Sequence, residues 1–524
     1  MTDISSKCIT IATDSSCSIE QFAIHGKSVS SFFQSETSIK NIVFLSLFFL
    51  ASAHLALKTL FPLPGFWVVG ASLIVGIGSC FILKTKDVTG FFIALFACVH
   101  FNFADNQGGL WSYIVCTVYM LVLLFNKKIN FFRINTVSKF INLLFAIFII
   151  HQLLGLLINN YSLLSNAQSL VVICSHIIIF YSCASIDMSK FQFRRLSAIW
   201  FGVAIWVFFV AINQKYHWFI VDSPVLPYQL SRDFSLSSGA TGASFGNSEL
   251  FSEYYCFVYI FSIIIYLYSK EFISRFIKHV YVYIMIFSSA ICLMMGGSRS
   301  AILLAVAATM FIFMDQMSSR NPVRSIKMLI QVGALGVFVS AFLLFFGDYI
   351  SLDETLEDFM RIDLSHMSFQ SVASGESINR GWVFEAGVRR LGEGSWWIGY
   401  GYGIPDNNRI SMGINNLLIA DYHSLYLQLP FFYGWIGSLS YIFIVFFTGL
   451  RSFICYMRNR NSDNYLIYIS LGFSILCAVF LIDQYKISVT RNPSYYLLTW
   501  FFFGFAHSVV NTINFSLIKL QNKC

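Results

Sequence analysis

Two short polar runs in an otherwise apolar chain carry side chains able to move a proton or hold an anion. The first is Asp421-Tyr422-His423-Ser424, which leads into the apolar run from Leu425 to Tyr433 and then Gly434-Trp435-Ile436-Gly437. Histidine is the side chain best suited to take a proton near neutral pH, so His423 is a candidate general base. Asp421, two residues earlier, is a group able to orient its imidazole. The step from His423 to Gly434 lies within about 20° of whole helical turns and spans about 16 Å, so a continuous helix puts both on one face. Pro430 can kink that helix. Glycines at 434 and 437 would let a neighbouring helix pack closely below the histidine. The spacing also fits an interfacial histidine above ordinary small-residue packing.

The second run is Gly296-Gly297-Ser298-Arg299-Ser300-Ala301. A helix starting there, with Ser298 or Ser300 as its cap, would bring free backbone N–H groups, a helix dipole and a guanidinium to one spot. Such a spot suits a phosphate or diphosphate; the alternative is an arginine snorkelling from a helix end. Further cations lie in two long polar segments: Lys215 and Arg232 in one, Arg361, Arg380, Arg389, Arg390 and Arg409 in the other. Most of these are expected to be solvated or paired with nearby acids, leaving one or two to face a ligand. Trp382, Trp396, Trp397, Tyr400 and Tyr402 could stack on sugar faces or form a membrane-interface belt. Glu249 and Glu253 stand at the start of an apolar stretch, where a carboxylate is costly unless it serves or pairs. His54, His100, His151, His176 and His507 lie in or near apolar stretches and read as packed or hydrogen-bonded.

The elements that must hold these groups are membrane spans. Of 524 residues, 57% are hydrophobic and 11% charged, less than half the charged share of an average globular chain. The net charge of +8 would suggest nucleic acid in a soluble protein; in a chain solvated by lipid it reports cytoplasmic loops, and no nucleic-acid partner is expected. Stretches long enough to span run over about 42–61, 66–83, 88–104, 110–125, 140–158, 168–186, 196–212, 250–268, 280–296, 300–314, 328–346, 430–449, 464–482 and 495–515. The predicted fold is therefore an all-α polytopic membrane protein of about fourteen transmembrane helices. Residues 1–40, polar, Ser-rich and without a signal-peptide core, read as a disordered cytoplasmic tail.

With both termini inside, 23 of the 34 Lys and Arg fall on the cytoplasmic side, as the positive-inside rule requires. The predicted organisation is helices one to seven over 41–212, a first long outer loop over 213–249, and helices eight to eleven over 250–347. A large outer loop with short amphipathic helices follows over 348–429, then helices twelve to fourteen and a short tail over 430–524. One amphipathic helix is predicted between Asn379 and Leu391. The two long loops and the span ends beside them are where function is expected. The twelve cysteines lie in apolar stretches or tails without CxxC or Cys/His spacing, so they read as small hydrophobes, with no metal site expected.

These residues resemble the bacterial O-antigen ligase and O-antigen polymerase superfamily. His423-Ser424, nine residues, then Gly434-x-x-Gly437 is similar to its histidine motif without a gap. Gly297-Ser298-Arg299-Ser300-Ala301 resembles its SRGA-type motif, with Ser300 where Gly is common. Thr241-Gly242-Ala243-Ser244-Phe245-Gly246-Asn247-Ser248-Glu249 resembles its TGTFGNPN segment, departing at Ser248 and Glu249. Arg380-Gly381-Trp382 and Ile398-Gly399-Tyr400-Gly401 resemble segments of its large periplasmic loop. The four matches fall in order between 241 and 437; the first 200 residues match only as generic spans.

The resemblance implies a metal-independent, cofactor-free, inverting glycosyltransferase of the bacterial inner membrane, with its active site on the periplasmic side. Its donor would be an undecaprenyl-diphosphate-linked oligosaccharide and its acceptor a glycan or lipid A core sugar, in the company of other polysaccharide assembly proteins. His423 would be the catalytic base. Arg299, Arg380 and Arg232 would hold the diphosphate, with Asp421, Ser298, Asn247, Trp382 and Tyr426 in support. The motifs do not separate polymerase from ligase; two spans beyond the ligases' usual twelve lean the expectation toward a repeat-unit polymerase in lipopolysaccharide biosynthesis. From another class, a lipid-linked oligosaccharide flippase would need ionisable groups along a mid-membrane path, and charges in the span centres are nearly absent.

Overall fold

The computed structural model describes residues 137–158, 163–186, 188, 190–216, 245, 247–268, 275–319, 388, 397–399, 424–460 and 464–521. Within them the chain is all-helical. The helices are α1 (Lys139–Ile158), α2 (Leu163–Ser185), α3 (Lys190–Tyr216), α4 (Ser248–Tyr268), α5 (Arg275–Gly296), α6 (Arg299–Ser319), α7 (Leu425–Asn459), α8 (Tyr465–Asp483) and α9 (Pro493–Gln521), with a 3₁₀ turn at Val489–Arg491 before α9. Each of the nine predicted spans that falls on described residues is a helix. The predicted spans at 42–61, 66–83, 88–104, 110–125 and 328–346 lie outside the described residues, as do the 1–40 tail and, apart from Val388, the segment 379–391.

Six of these helices are long and apolar enough to cross a membrane: α1, α4, α6, α7, α8 and α9; α2, α3 and α5 contain shorter apolar stretches. This is a multi-pass helical membrane protein. Where a helix is apolar all round it is wrapped by others, and α4 and α9 are buried along almost their whole length. Trp500, Phe501, Phe502 and Phe503 of α9 are covered on every side. By contrast, α6 leaves Leu303, Val306, Met310, Phe311 and Met314 exposed, and α1 leaves Phe140, Leu143, Ile150 and Leu157 exposed. Large apolar faces of this kind are solvated by acyl chains.

Helix directions follow from the side chains that meet. Phe148 of α1 packs on Tyr433 of α7 and Phe140 on Phe447, so these two helices are antiparallel. His176 of α2 packs on Tyr496 of α9, and Met188 N–H bonds Thr512, so α2 runs parallel to α9. Tyr255 of α4 donates to the Ala204 carbonyl and Phe261 packs on Trp200, so α3 and α4 are antiparallel. The starts of α4, α6, α7 and α9 and the ends of α5 and α8 are joined by hydrogen bonds at one end of the bundle. Arg451, Arg458 and Arg460 lie toward the other end of α7.

The helix α7 begins at Leu425, five residues before the predicted span, and is broken at Gly434. The stretch after the break is long enough to cross a bilayer core of about 30 Å. The turns before it, Leu425 to Tyr433, lie packed against the rest of the bundle end, and Pro430 falls within them.

Candidate functional site

At this end of the bundle, polar side chains from five helices and the turn after α8 form a buried network. Its frame is set by capping. Asn247 Oδ1 accepts from the Glu249 and Leu250 N–H groups at 2.9 and 3.0 Å and starts α4. Asn492 Oδ1 accepts from Tyr495 N–H at 2.9 Å and starts α9, while Asn492 Nδ2 donates to the Phe245 carbonyl at 2.8 Å. Phe245, two residues before Asn247, is thereby bonded to the start of α9. Ser298 Oγ faces the Ala301 N–H at 3.4 Å, and Gly297 before it has φ 64°, a turn that closes α5 and opens α6.

The turn after α8 ties these starts together. Lys486 Nζ donates to Ser298 Oγ at 2.7 Å and lies 3.9 Å from Glu249 Oε1. Ser300 Oγ donates to the Asp483 carboxylate. Glu253 Oε2 accepts from Gln484 Nε2 at 2.9 Å and Glu253 Oε1 from the Tyr495 hydroxyl at 2.8 Å. Gln484 Oε1 accepts from Val489 N–H at 2.6 Å. The first N–H of α7, that of Leu425, is shared between the Gln484 and Ile487 carbonyls at 3.0 and 3.1 Å. Tyr426 donates its hydroxyl to the Leu481 carbonyl. Glu253, Asp483 and Gln484 are buried, and Lys486 is partly open.

A second contact joins the glycines of two motifs. Gly434 has φ 67° and ψ 174°, a conformation for which only glycine is suited. A Cβ on it would lie 2.2 Å from the Trp397 carbonyl oxygen, and a Cβ on Gly399 would lie 2.3 Å from the Phe432 carbonyl. The segment 397–399 therefore lies backbone against backbone on the break in α7. A Cβ on Gly437 would lie 3.0 Å from the Cβ of His151 in α1. The two glycines thus serve different contacts: Gly437 admits a helix, as its spacing predicts, and Gly434 admits a loop.

Of the residues predicted from sequence, Asn247, Ser298 and Tyr426 belong to this end of the bundle, and the Arg299 backbone opens α6 between Ser298 and Ser300. The Arg299 side chain, His423, Arg380, Arg232, Asp421 and Trp382 lie outside the described residues. Ser424, next to His423, is buried beside the 484–487 turn. Glu249 faces Lys486, and Glu253 accepts from Gln484 and Tyr495. His507 is hydrogen-bonded to Thr448 and Arg451, and His151 to the Ile147 carbonyl. Cys183, Cys256, Cys292, Cys455 and Cys477 are buried, whereas Cys174 is exposed.

Sequence reasoning passed over Asp483, Gln484, Lys486 and Tyr495. A signal for two of them was present. Asp483 is a carboxylate at the end of an apolar stretch, like Glu249, and Lys486 is a cation in a short segment between two predicted spans, like Arg299.

Among the described side chains of this network, Glu249 and Asp483 both face the Lys486 ammonium group. Through the Lys486–Ser298 bond and the carbonyls of the 484–487 turn, the start of α7 is referenced to the start of α6. Compared with known proteins, the chain matches no family model and no curated protein.

Proposed function

We propose that this protein transfers a glycan from an undecaprenyl-diphosphate-linked donor to an acceptor sugar hydroxyl at the periplasmic face of the bacterial inner membrane, as a polysaccharide repeat-unit polymerase. With lipid A core as acceptor, the same chemistry would make it an O-antigen ligase. The reading rests on the motifs and on one observation: segments far apart in sequence meet at one end of the bundle. The Gln484–Ile487 turn holds the start of α7, two residues after His423, and its Lys486 holds Ser298, next to Arg299.

In this reaction His423 takes the proton of the acceptor hydroxyl. The acceptor oxygen forms a bond to the anomeric carbon as the bond from that carbon to the diphosphate oxygen breaks, with inversion, and the electron pair leaves on the diphosphate. Arg299, Arg380 and Arg232 hold that leaving group and offset its growing charge. A positioned base contributes about 10² to 10⁴ in rate. Asp421 orients the imidazole, and Trp382 stacks on donor sugar.

The buried Glu253 and Asp483 favour a second reading, a lipid-linked oligosaccharide flippase, since buried acids often line transport paths. Against it, both Glu253 oxygens accept hydrogen bonds, from Gln484 and Tyr495, Ser300 holds one oxygen of Asp483, and the acids are gathered at one end of the bundle.

The test is transfer by purified protein reconstituted with a defined lipid-linked donor. Wild type should extend or transfer the glycan, and His423→Ala and Arg299→Ala should lose about 10² or more of that rate. Near-normal turnover by well-folded His423→Ala would remove the base assignment. In cells, deletion should leave core bearing a single repeat for a polymerase, or bare core with lipid-linked polymer for a ligase.

A further inference from the structure

Glu253 is wholly buried one turn inside α4 and has no part in the chemistry described above. Its polar neighbours are Gln484, Tyr495 and Asp483, and the first of these has a fixed polarity. Gln484 is also wholly buried, and its side-chain oxygen faces the Val489 N–H, so its NH₂ must face Glu253. Glu253 must therefore present an acceptor to Gln484, and its other oxygen accepts from Tyr495. The backbone carbonyl of the same Gln484 receives the first N–H of α7. A chain of contacts thus runs from Glu253 through Gln484 to Leu425.

We propose that Glu253 is a positioning residue that, by fixing the side-chain polarity of Gln484, sets the place of the α7 start and hence of His423. This inference rests on the glycosyl-transfer reading for its catalytic consequence, though not for its structural one. Glu253 touches no substrate. It acts by keeping the 484–487 turn in the one arrangement that holds Leu425, and through Lys486 it also bears on Ser298. A base displaced by about 1 Å can lose about 10²-fold in rate, so the link is expected to appear in kcat, with KM for donor little changed.

The pattern can be inverted without changing its composition. In Gln484→Glu alone, two carboxylates face each other. In Glu253→Gln alone, an amide can bond Gln484 only by taking the acceptor away from the Tyr495 hydroxyl. In the double variant Glu253→Gln/Gln484→Glu the bonds to Tyr495, between positions 253 and 484, and to Val489 N–H all return. The amide introduced on α4 accepts from Tyr495 and donates to the carboxylate introduced after α8, and that carboxylate also accepts from Val489 N–H.

The experiment measures kcat and KM per mole of folded protein for wild type, both single variants and the double, with amide hydrogen exchange over Leu425 to Gln428 on the same samples. Gln484→Glu should lose about 10²-fold in kcat and Glu253→Gln roughly tenfold, with exchange at Leu425 faster in both. The double should return to within about threefold of wild type in both measures. A double variant as slow as Glu253→Gln would overturn the proposal, because the carboxylate at 253 would then be needed for itself. So would a Gln484→Glu protein with unchanged kcat and unchanged protection. If wild type transfers no glycan, the functional reading fails, and the exchange data alone still decide whether Glu253 and Gln484 hold α7.

Discussion

Lys486 Nζ donates to Ser298 Oγ at 2.7 Å, joining the turn after α8 to the start of α6. On its other side stands Glu249, at 3.9 Å. The ion pair is partly open to solvent and contributes little by itself, about 0–1 kcal/mol. The hydrogen bond does more, because Ser298 is buried and also caps α6.

Lys486→Met should therefore slow transfer more than it lowers thermal stability. Loss of one charge-assisted bond predicts about tenfold in rate, with a small change in Tm. Ser298→Ala removes the same bond and the cap, so it should show the rate effect together with a stability loss of about 1 kcal/mol. Transfer assays and thermal unfolding in detergent check this; full activity in both variants would break the link between the turn and the site.

Gly434→Ala should be among the most damaging single substitutions in α7. Its backbone conformation costs a non-glycine residue about 1–3 kcal/mol, and the added Cβ would sit 2.2 Å from the Trp397 carbonyl oxygen. Either α7 straightens or the 397–399 segment lifts off. The expected result is a destabilisation of about 2 kcal/mol or more with loss of transfer, whereas Gly437→Ala, which meets only side-chain carbons of Tyr433 and His151, should be milder. Comparable Tm values for the two would contradict this account.

How far the sequence reveals this arrangement depends on the kind of residue. Helix positions are legible because apolar length alone sets them, and α1, α8 and α9 lie within a few residues of the predicted spans. The start of α7 is less legible, since Leu425 to Tyr433 is as apolar as a span yet belongs to a separate turn of helix set off by the Gly434 break. Asn247, Ser298 and Tyr426 carry motif signals. Gln484 and Tyr495 carry none: a neutral residue becomes important only through the partner opposite it, and Glu253 is more than 200 positions away in the chain. Asp483 and Lys486 are intermediate, being charged groups at a span end whose partners only the fold reveals.

Gly504→Val should separate α9 from α2. A Cβ at 504 would already lie 2.6 Å from the Phe180 carbonyl oxygen and 2.6 Å from the Cys183 Cβ, so the two backbones touch there. Close approach at small residues is a main source of helix association in lipid. Overpacking at such a point costs about 1–3 kcal/mol, and a branched side chain should reach the upper part of that range. Thermal unfolding in detergent measures it; an unchanged Tm would mean that the α2 and α9 contact is looser than the structure has it.

A separate polar cluster lies at the far end of the bundle. Arg451 donates from Nη1 to His507 Nδ1 and from Nη2 to Asn511 Oδ1, both at 2.7 Å. With Nδ1 accepting, His507 carries its hydrogen on Nε2, 3.1 Å from the Thr448 hydroxyl. Arg451 lies roughly 40 Å along α7 from Leu425, so changes here should leave transfer per folded molecule intact. They should still be felt in stability, and unequally. His507→Leu leaves a largely buried guanidinium short of one acceptor, which costs about 1–3 kcal/mol. Arg451→Leu/His507→Leu removes donor and acceptor together, so its cost should be less than the sum of the two single variants by about 1 kcal/mol. Tm and transfer rate for the three variants decide the point: strictly additive losses would mean that Arg451 and His507 do not depend on each other, and a fall in transfer by His507→Leu would mean that this end is coupled to the site.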